Sequence, residues 1–124
     1  MNLNKLLNGL LAPVLGAGFL MAGAVNAQNY PDKPVALVVP FAAGGPTDTI
    51  ARLIAVPMGK ALGQTVVVEN TPGAGGTVAS NKVAKAKPDG YMIYIHHMGM
   101  ATAQALYDKL PYDPMKDFEY IGQV

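Results

Sequence analysis

Two glycine-rich segments hold the residues best suited to chemistry. Phe41-Ala42-Ala43-Gly44-Gly45-Pro46-Thr47-Asp48 leads from an apolar run into a stretch of helical spacing, and Asn70-Thr71-Pro72-Gly73-Ala74-Gly75-Gly76-Thr77 does the same after a second apolar run. A strand that hands over to a helix in this way leaves backbone N–H groups and the positive end of the helix dipole facing the space beyond the sheet edge, and that arrangement attracts anions. Glycine removes the side chains that would keep a guest away from the backbone. An ordinary tight turn needing positive φ has the same composition, so either loop alone reads both ways. Two such loops at one sheet edge favour a ligand with one carboxylate or two.

Other chemistries fit less well. Gly73-Ala74-Gly75 supplies half of a dinucleotide fingerprint, but Val78 stands where the third Gly or Ala belongs, and Asp89 comes too early to hold a ribose. Neither glycine cluster runs into the Gly-Lys-Ser or Gly-Lys-Thr of a phosphate loop. Ser80, the only serine, is not in a nucleophile elbow. Asp48 suits an acid–base role or, more simply, a helix cap. His96 and His97 invite a metal, yet neighbours at a strand end point to opposite sides. With no Cys and no carboxylate at ligand spacing, no metal site is expected. One of the pair is expected to line a crevice and the other to be packed or solvated. Met98 and Met100 offer a soft apolar wall, or are simply core methionines. No catalytic residue and no cofactor are expected.

These residues need a frame. The run Val35-Ala36-Leu37-Val38-Val39 between Pro34 and Pro40 reads as a strand buried on both faces. Val66-Val67-Val68 repeats it, and residues 91–95 form a third strand. Ile50, Leu53, Ile54, Met58, Ala61 and Leu62 recur at helical spacing, with Thr47 or Asp48 as N-cap and Gly63 as the stop. Pro57 inside that helix should kink it or remove one hydrogen bond. Residues 77–87 are helix-compatible, Pro88-Asp89-Gly90 is a turn, residues 101–107 form a short helix, and Leu110-Pro111-Tyr112-Asp113-Pro114 is a stiffened turn. Residues 118–124 begin like a further strand. Alternating strands and helices predict an α/β fold with a parallel sheet and flanking helices. The loops at 41–48, 70–77 and 96–101 then emerge together at the carboxyl edge, where polar ligands bind in such sheets.

At 124 residues the chain is one small domain preceded by a leader. Lys5, the apolar run at 6–21 and the small residues around Val25-Asn26-Ala27 predict an export signal over residues 1–27, cleaved after Ala27, and hence a periplasmic protein. Gly9, Pro13, Gly16 and Gly18 interrupt the run, which falls short of the roughly 20 apolar residues of a spanning helix. Without Cys there is no lipid anchor, and stability rests on a modest core. Setting the leader aside removes Lys5, one of nine basic residues, and none of the eight acids, so residues 28–124 are neutral. That balance excludes a basic nucleic-acid interface. Lys82, Lys85 and Lys87 read as the solvated face of a helix; Arg52, the only arginine, lies one turn into the first helix, placed to help electrostatically but expected to be exposed.

Several of these segments closely resemble the Bug family, the extracytoplasmic solute receptors of tripartite tricarboxylate transporters. The likeness is carried by Tyr30-Pro31-Asp32-Lys33-Pro34, by residues 40–48, by Val67-Val68-Glu69-Asn70 leading into Gly73-Ala74-Gly75-Gly76, by Pro88-Asp89-Gly90-Tyr91, and by Leu110-Pro111-Tyr112-Asp113-Pro114 with Asp117-Phe118. The resemblance implies a two-domain, hinge-closing binding protein, not an enzyme, whose first two loops clamp a ligand carboxylate and which serves two integral membrane subunits. Carried over by position, those loops are Phe41, Ala42, Ala43, Gly44, Gly45, Thr47 and Asp48, then Gly73, Ala74, Gly75, Gly76 and Thr77. The third loop departs from the family pattern: His97 and Met98 stand where Thr, Ser or His is common, which points weakly to a more apolar acid. Family members are much longer, so residues 28–124 are expected to be the N-terminal part of the first domain, with the second domain absent. A nucleotide-using enzyme fragment and a non-functional truncated paralogue are the alternatives.

Overall fold

The computed structural model describes residues 29–124. The leader expected at residues 1–27 lies outside the described residues. Three strands form one parallel sheet in the order β2-β1-β3: β1 is Val35–Val39, β2 is Val66–Asn70 and β3 is Met92–Tyr94. Val35 stands opposite Val66 and Asn70 opposite Val39, while Ala36 to Val38 pair with Met92 to Tyr94. Helix α1, Pro46–Leu62, joins β1 to β2; α2, Thr77–Ala84, joins β2 to β3; α3, Gly99–Leu106, follows β3. No helix among the described residues is long and apolar enough to cross a membrane.

The central strand is apolar throughout because both of its faces are covered. Val35, Leu37, Val38 and Val39 are at most 1% exposed. Leu37 and Val39 meet Ala51 and Ala55 of α1, with Ile54, Val66, Val68, Ile93 and Ile95 around them. On the other face Tyr94, opposite Val38, bonds the buried Ser80 of α2 through its hydroxyl at 2.9 Å. Strand alternation therefore puts α1 and α2 on opposite sides of the sheet, and the chain changes direction between β1 and β3. Burying each of these Leu and Val side chains contributes roughly 1.5–3 kcal/mol.

Helix α1 closes on Gly63 in the left-handed conformation, as its sequence predicts, and runs through Pro57 as one element. Its cap departs from expectation. The N-cap is Gly45, not Thr47 or Asp48, and Pro46 occupies the first turn. Pro46 has the φ of a helix start and no N–H to leave unsatisfied, so it fixes the first position one turn earlier than the apolar periodicity suggested. Helix α2 is shorter than residues 77–87, and Lys82, Lys85 and Lys87 are exposed. Residues 118–124 form no strand. Phe118 instead packs on Tyr94 and Tyr112, and the Tyr120 hydroxyl donates to Pro114 O at 2.8 Å, folding the segment onto its own turn.

Candidate functional site

The parallel strands bring the three post-strand loops to one edge. Loop 1 (41–45) and loop 2 (71–76) are joined by a polar network whose centre is Asp48, a carboxylate only 2% exposed. Its Oδ2 accepts from Gly44 N–H at 2.8 Å and Arg52 Nε at 2.9 Å; its Oδ1 accepts from Asn70 Nδ2 at 3.0 Å. The same Asn70 nitrogen donates to Phe41 O at 3.0 Å, and Asn70 Oδ1 accepts from Arg52 Nη2 at 3.3 Å. Hydrogen bonding from Arg52 first, then from Gly44 and Asn70, holds the Asp48 carboxyl down at about 2. An acidic residue three positions into a helix commonly reaches back to an N–H ahead of it. Here that N–H belongs to Gly44, which adopts φ +83° to offer it.

This network changes what the loop presents. Asp48 and Arg52 neutralise each other, and both Asp48 oxygens are committed, so Asp48 sits beneath loop 1 as a brace. What remains facing outward is backbone. With Pro46 lacking an N–H, Thr47 and Asp48 carry the first-turn donors of α1 that no intrahelical carbonyl can satisfy. Phe41 is half-buried, while Ala42, Ala43 and Gly44 are exposed.

Loop 2 is shaped mainly by its backbone, with side-chain hydroxyls bonding one of its carbonyls. Gly73, Ala74, Gly75 and Gly76 have φ of 142°, 43°, 62° and 96° in succession. At Gly76 a Cβ would lie 2.7 Å from His96 Nε2 and 3.1 Å from Pro40 Cβ. Gly76 N–H returns to Gly73 O at 2.9 Å, and Thr77 Oγ1 donates to Ala74 O at 3.0 Å. Gly75 N–H has no partner among the described residues.

Loop 3 corrects the expectation that the two histidines diverge. Beyond Tyr94 the strand has ended, so the pleat no longer sets side-chain direction. The ring of His97 stacks on Phe41 at 4.7 Å and 8°, and the ring of His96 meets the edges of both Phe41 and His97. His96 Nδ1 accepts from His97 N–H at 2.8 Å, which places the proton of the neutral His96 ring on Nε2, and His97 Nδ1 accepts from Gly99 N–H at 2.9 Å. Burial, with a smaller contribution from His97, pushes His96 down to about 4, so at neutral pH it is an uncharged donor beside Gly76. Met98 is 79% exposed and Met100 is buried.

The site therefore joins an aromatic wall, Phe41 with His96 and His97, to two backbone-lined loops. Sequence reasoning placed Asn70 at the head of loop 2 and Arg52 one turn into α1, but did not foresee that both bond Asp48. The spacing of Asp48 and Arg52, one helical turn apart, was the available signal. A separate open groove of roughly 470 Å³, lined by Ala55, Val56, Gly59, Lys60 and Val66, lies at the opposite sheet edge and has none of these donors.

Comparison with known proteins finds one family model, described as tripartite tricarboxylate transporter family receptor, matching residues 50–124. The UPF0065 protein in the TAR-I ttuE-ttuC' intergenic region of Agrobacterium vitis is 49% identical over 92% of this chain and 33% of its own length. Among solved structures, the periplasmic binding protein BugD is 56% identical with a TM-score of 0.71, over 73% of this chain and 30% of that one. MatC from Rhodopseudomonas palustris, solved with bound malate, is 52% identical with a TM-score of 0.69, over 72% and 31%. The chain spans about a third of the length of the curated relatives it matches.

Proposed function

Because this chain belongs to the tripartite tricarboxylate transporter receptor family, a family of periplasmic solute receptors rather than enzymes, we propose that it captures a small organic mono- or dicarboxylate and passes it to the integral membrane subunits of such a transporter. One observation carries the reading: two glycine-rich strand-to-helix loops, knitted by the Asp48, Asn70 and Arg52 hydrogen bonds, meet at the carboxyl edge of a parallel sheet. The malate held by the R. palustris relative supports a dicarboxylate. Since the only nearby guanidinium is already paired with Asp48, the ligand's charge is met by backbone N–H groups and the α1 dipole. Loops 1 and 2 make the direct contacts, Phe41 and His97 flank the carbon skeleton, and Asp48 acts through the loop it braces. Residues 1–27 serve as a cleaved export leader, and residues 28–124 carry the first loops of the solute-binding domain.

Calorimetric titration with malate, citrate, benzoate and NAD tests this. Saturable binding of at least one acid, with no heat from NAD, is the expected result. Binding of NAD alone, or of nothing, overturns it.

A further inference from the structure

Tyr107 lies 33 residues from the second glycine loop in sequence, yet its hydroxyl donates to Ala74 O at 3.1 Å. The side chain is fixed from its own side as well: Tyr107 closes α3, and its N–H returns to Ala103 O at 3.0 Å. The ring lies over loop 2 so closely that a Cβ on Gly75 would be 2.7 Å from the hydroxyl oxygen. Beneath it Ala74 is the one non-glycine residue with positive φ among the described residues. An L side chain avoids that region unless its surroundings hold it there. Three donors do so through one carbonyl, since Ala74 O accepts from Tyr107 Oη, Thr77 Oγ1 and Thr77 N–H.

The consequence follows from peptide geometry. Ala74 C=O and Gly75 N–H belong to the same trans peptide and point in opposite directions. Turning the carbonyl toward α3 turns the N–H away from it, and that N–H has no other partner among the described residues. From this we infer that Tyr107 is a positioning residue for ligand binding: it aims the Gly75 N–H at the ligand carboxylate by holding the Ala74–Gly75 peptide in one orientation. This rests on the carboxylate-receptor reading and names a residue that reading leaves out. Tyr107 does not touch the ligand.

Tyr107→Phe keeps the ring and removes only the hydroxyl. One neutral hydrogen bond lost predicts malate binding about two- to tenfold weaker, with an altered Gly75 amide resonance in the free protein. Tyr107→Phe with Ala74→Gly separates aiming from packing, because glycine holds the same φ without strain. The double variant is expected to regain most of the lost affinity. Unchanged malate affinity in Tyr107→Phe, an unmoved Gly75 amide, or a loss that Ala74→Gly does not relieve overturns the inference while leaving the receptor reading intact. Wild-type protein that binds neither malate nor any other acid overturns both.

Discussion

Loops 1 and 2 offer the same chemistry from the same sheet edge but are held in place by different means. Loop 1 is fixed by side chains: the Asp48 carboxylate, 2% exposed, takes an N–H from Gly44 and ties it to Arg52 and Asn70. Its glycines have room, and a Cβ on Gly44 would meet nothing within 4 Å. Loop 2 has no charged brace; two hydroxyls, of Thr77 and Tyr107, bond its Ala74 carbonyl. Its shape comes from four consecutive residues at positive φ, packed against His96, Pro40 and Tyr107. Loop 1, with room at Gly44, loses less from a backbone methyl than from loss of its carboxylate; loop 2, crowded at Gly75 and Gly76, loses more from a methyl than from one hydroxyl.

The sharpest way to break this contrast is Gly76→Ala. Its Cβ would sit 2.7 Å from His96 Nε2 and 3.1 Å from Pro40 Cβ at φ +96°. Backbone strain and overpacking together predict destabilisation of about 3 kcal/mol or more, read from urea unfolding. A cost near that of Gly44→Ala would mean that loop 2 is not held by its backbone.

Asp48→Asn comes next. The amide keeps one acceptor and sets its N–H₂ against a donor, either Asn70 Nδ2 or the Gly44 and Arg52 pair, so loop 1 loosens and its amide resonances broaden or move. The pH dependence gives an independent check. Asp48 titrates at about 2 in the folded protein against an ordinary 3.8. A lowered carboxylate stabilises fully above its unfolded value and loses that contribution as pH falls from about 4 toward 2. The Asp48→Asn variant should lack that part of the acid limb; an identical acid profile would contradict the brace.

The smallest effect belongs to Gly44→Ala, which pays only for a left-handed backbone in open space. About 1 kcal/mol is expected, with malate affinity reduced less than in Asp48→Asn. A loss larger than that of Asp48→Asn would show that the backbone, and not the carboxylate, sets loop 1.

How much of this was legible in the sequence follows the range of the forces involved. The β1 run, the Gly63 stop and the two glycine loops were readable because burial on both faces and positive φ restrict residue type locally. The N-cap was misplaced because Pro46 and Gly45 extend α1 ahead of its first apolar position. The histidines were set on opposite sides because the strand was read to residue 95, whereas β3 ends at Tyr94. The strand expected at 118–124 gave way to aromatic packing of Phe118 on Tyr94 and Tyr112, contacts between distant residues that no local pattern encodes. The bracing role of Asn70 and the part played by Tyr107 were not legible for the same reason: each acts across a loop 29 or 33 residues away.

The central claim is that backbone N–H groups of two differently built loops receive one carboxylate, and amide-resolved NMR titration with malate tests it most directly. The account predicts saturable shifts centred on Thr47, Asp48, Gly75 and their neighbours, with smaller ones at His97 and none along the groove formed by Ala55, Gly59 and Val66. Shifts centred on that groove, or an unmoved loop 2 at saturation, would contradict it.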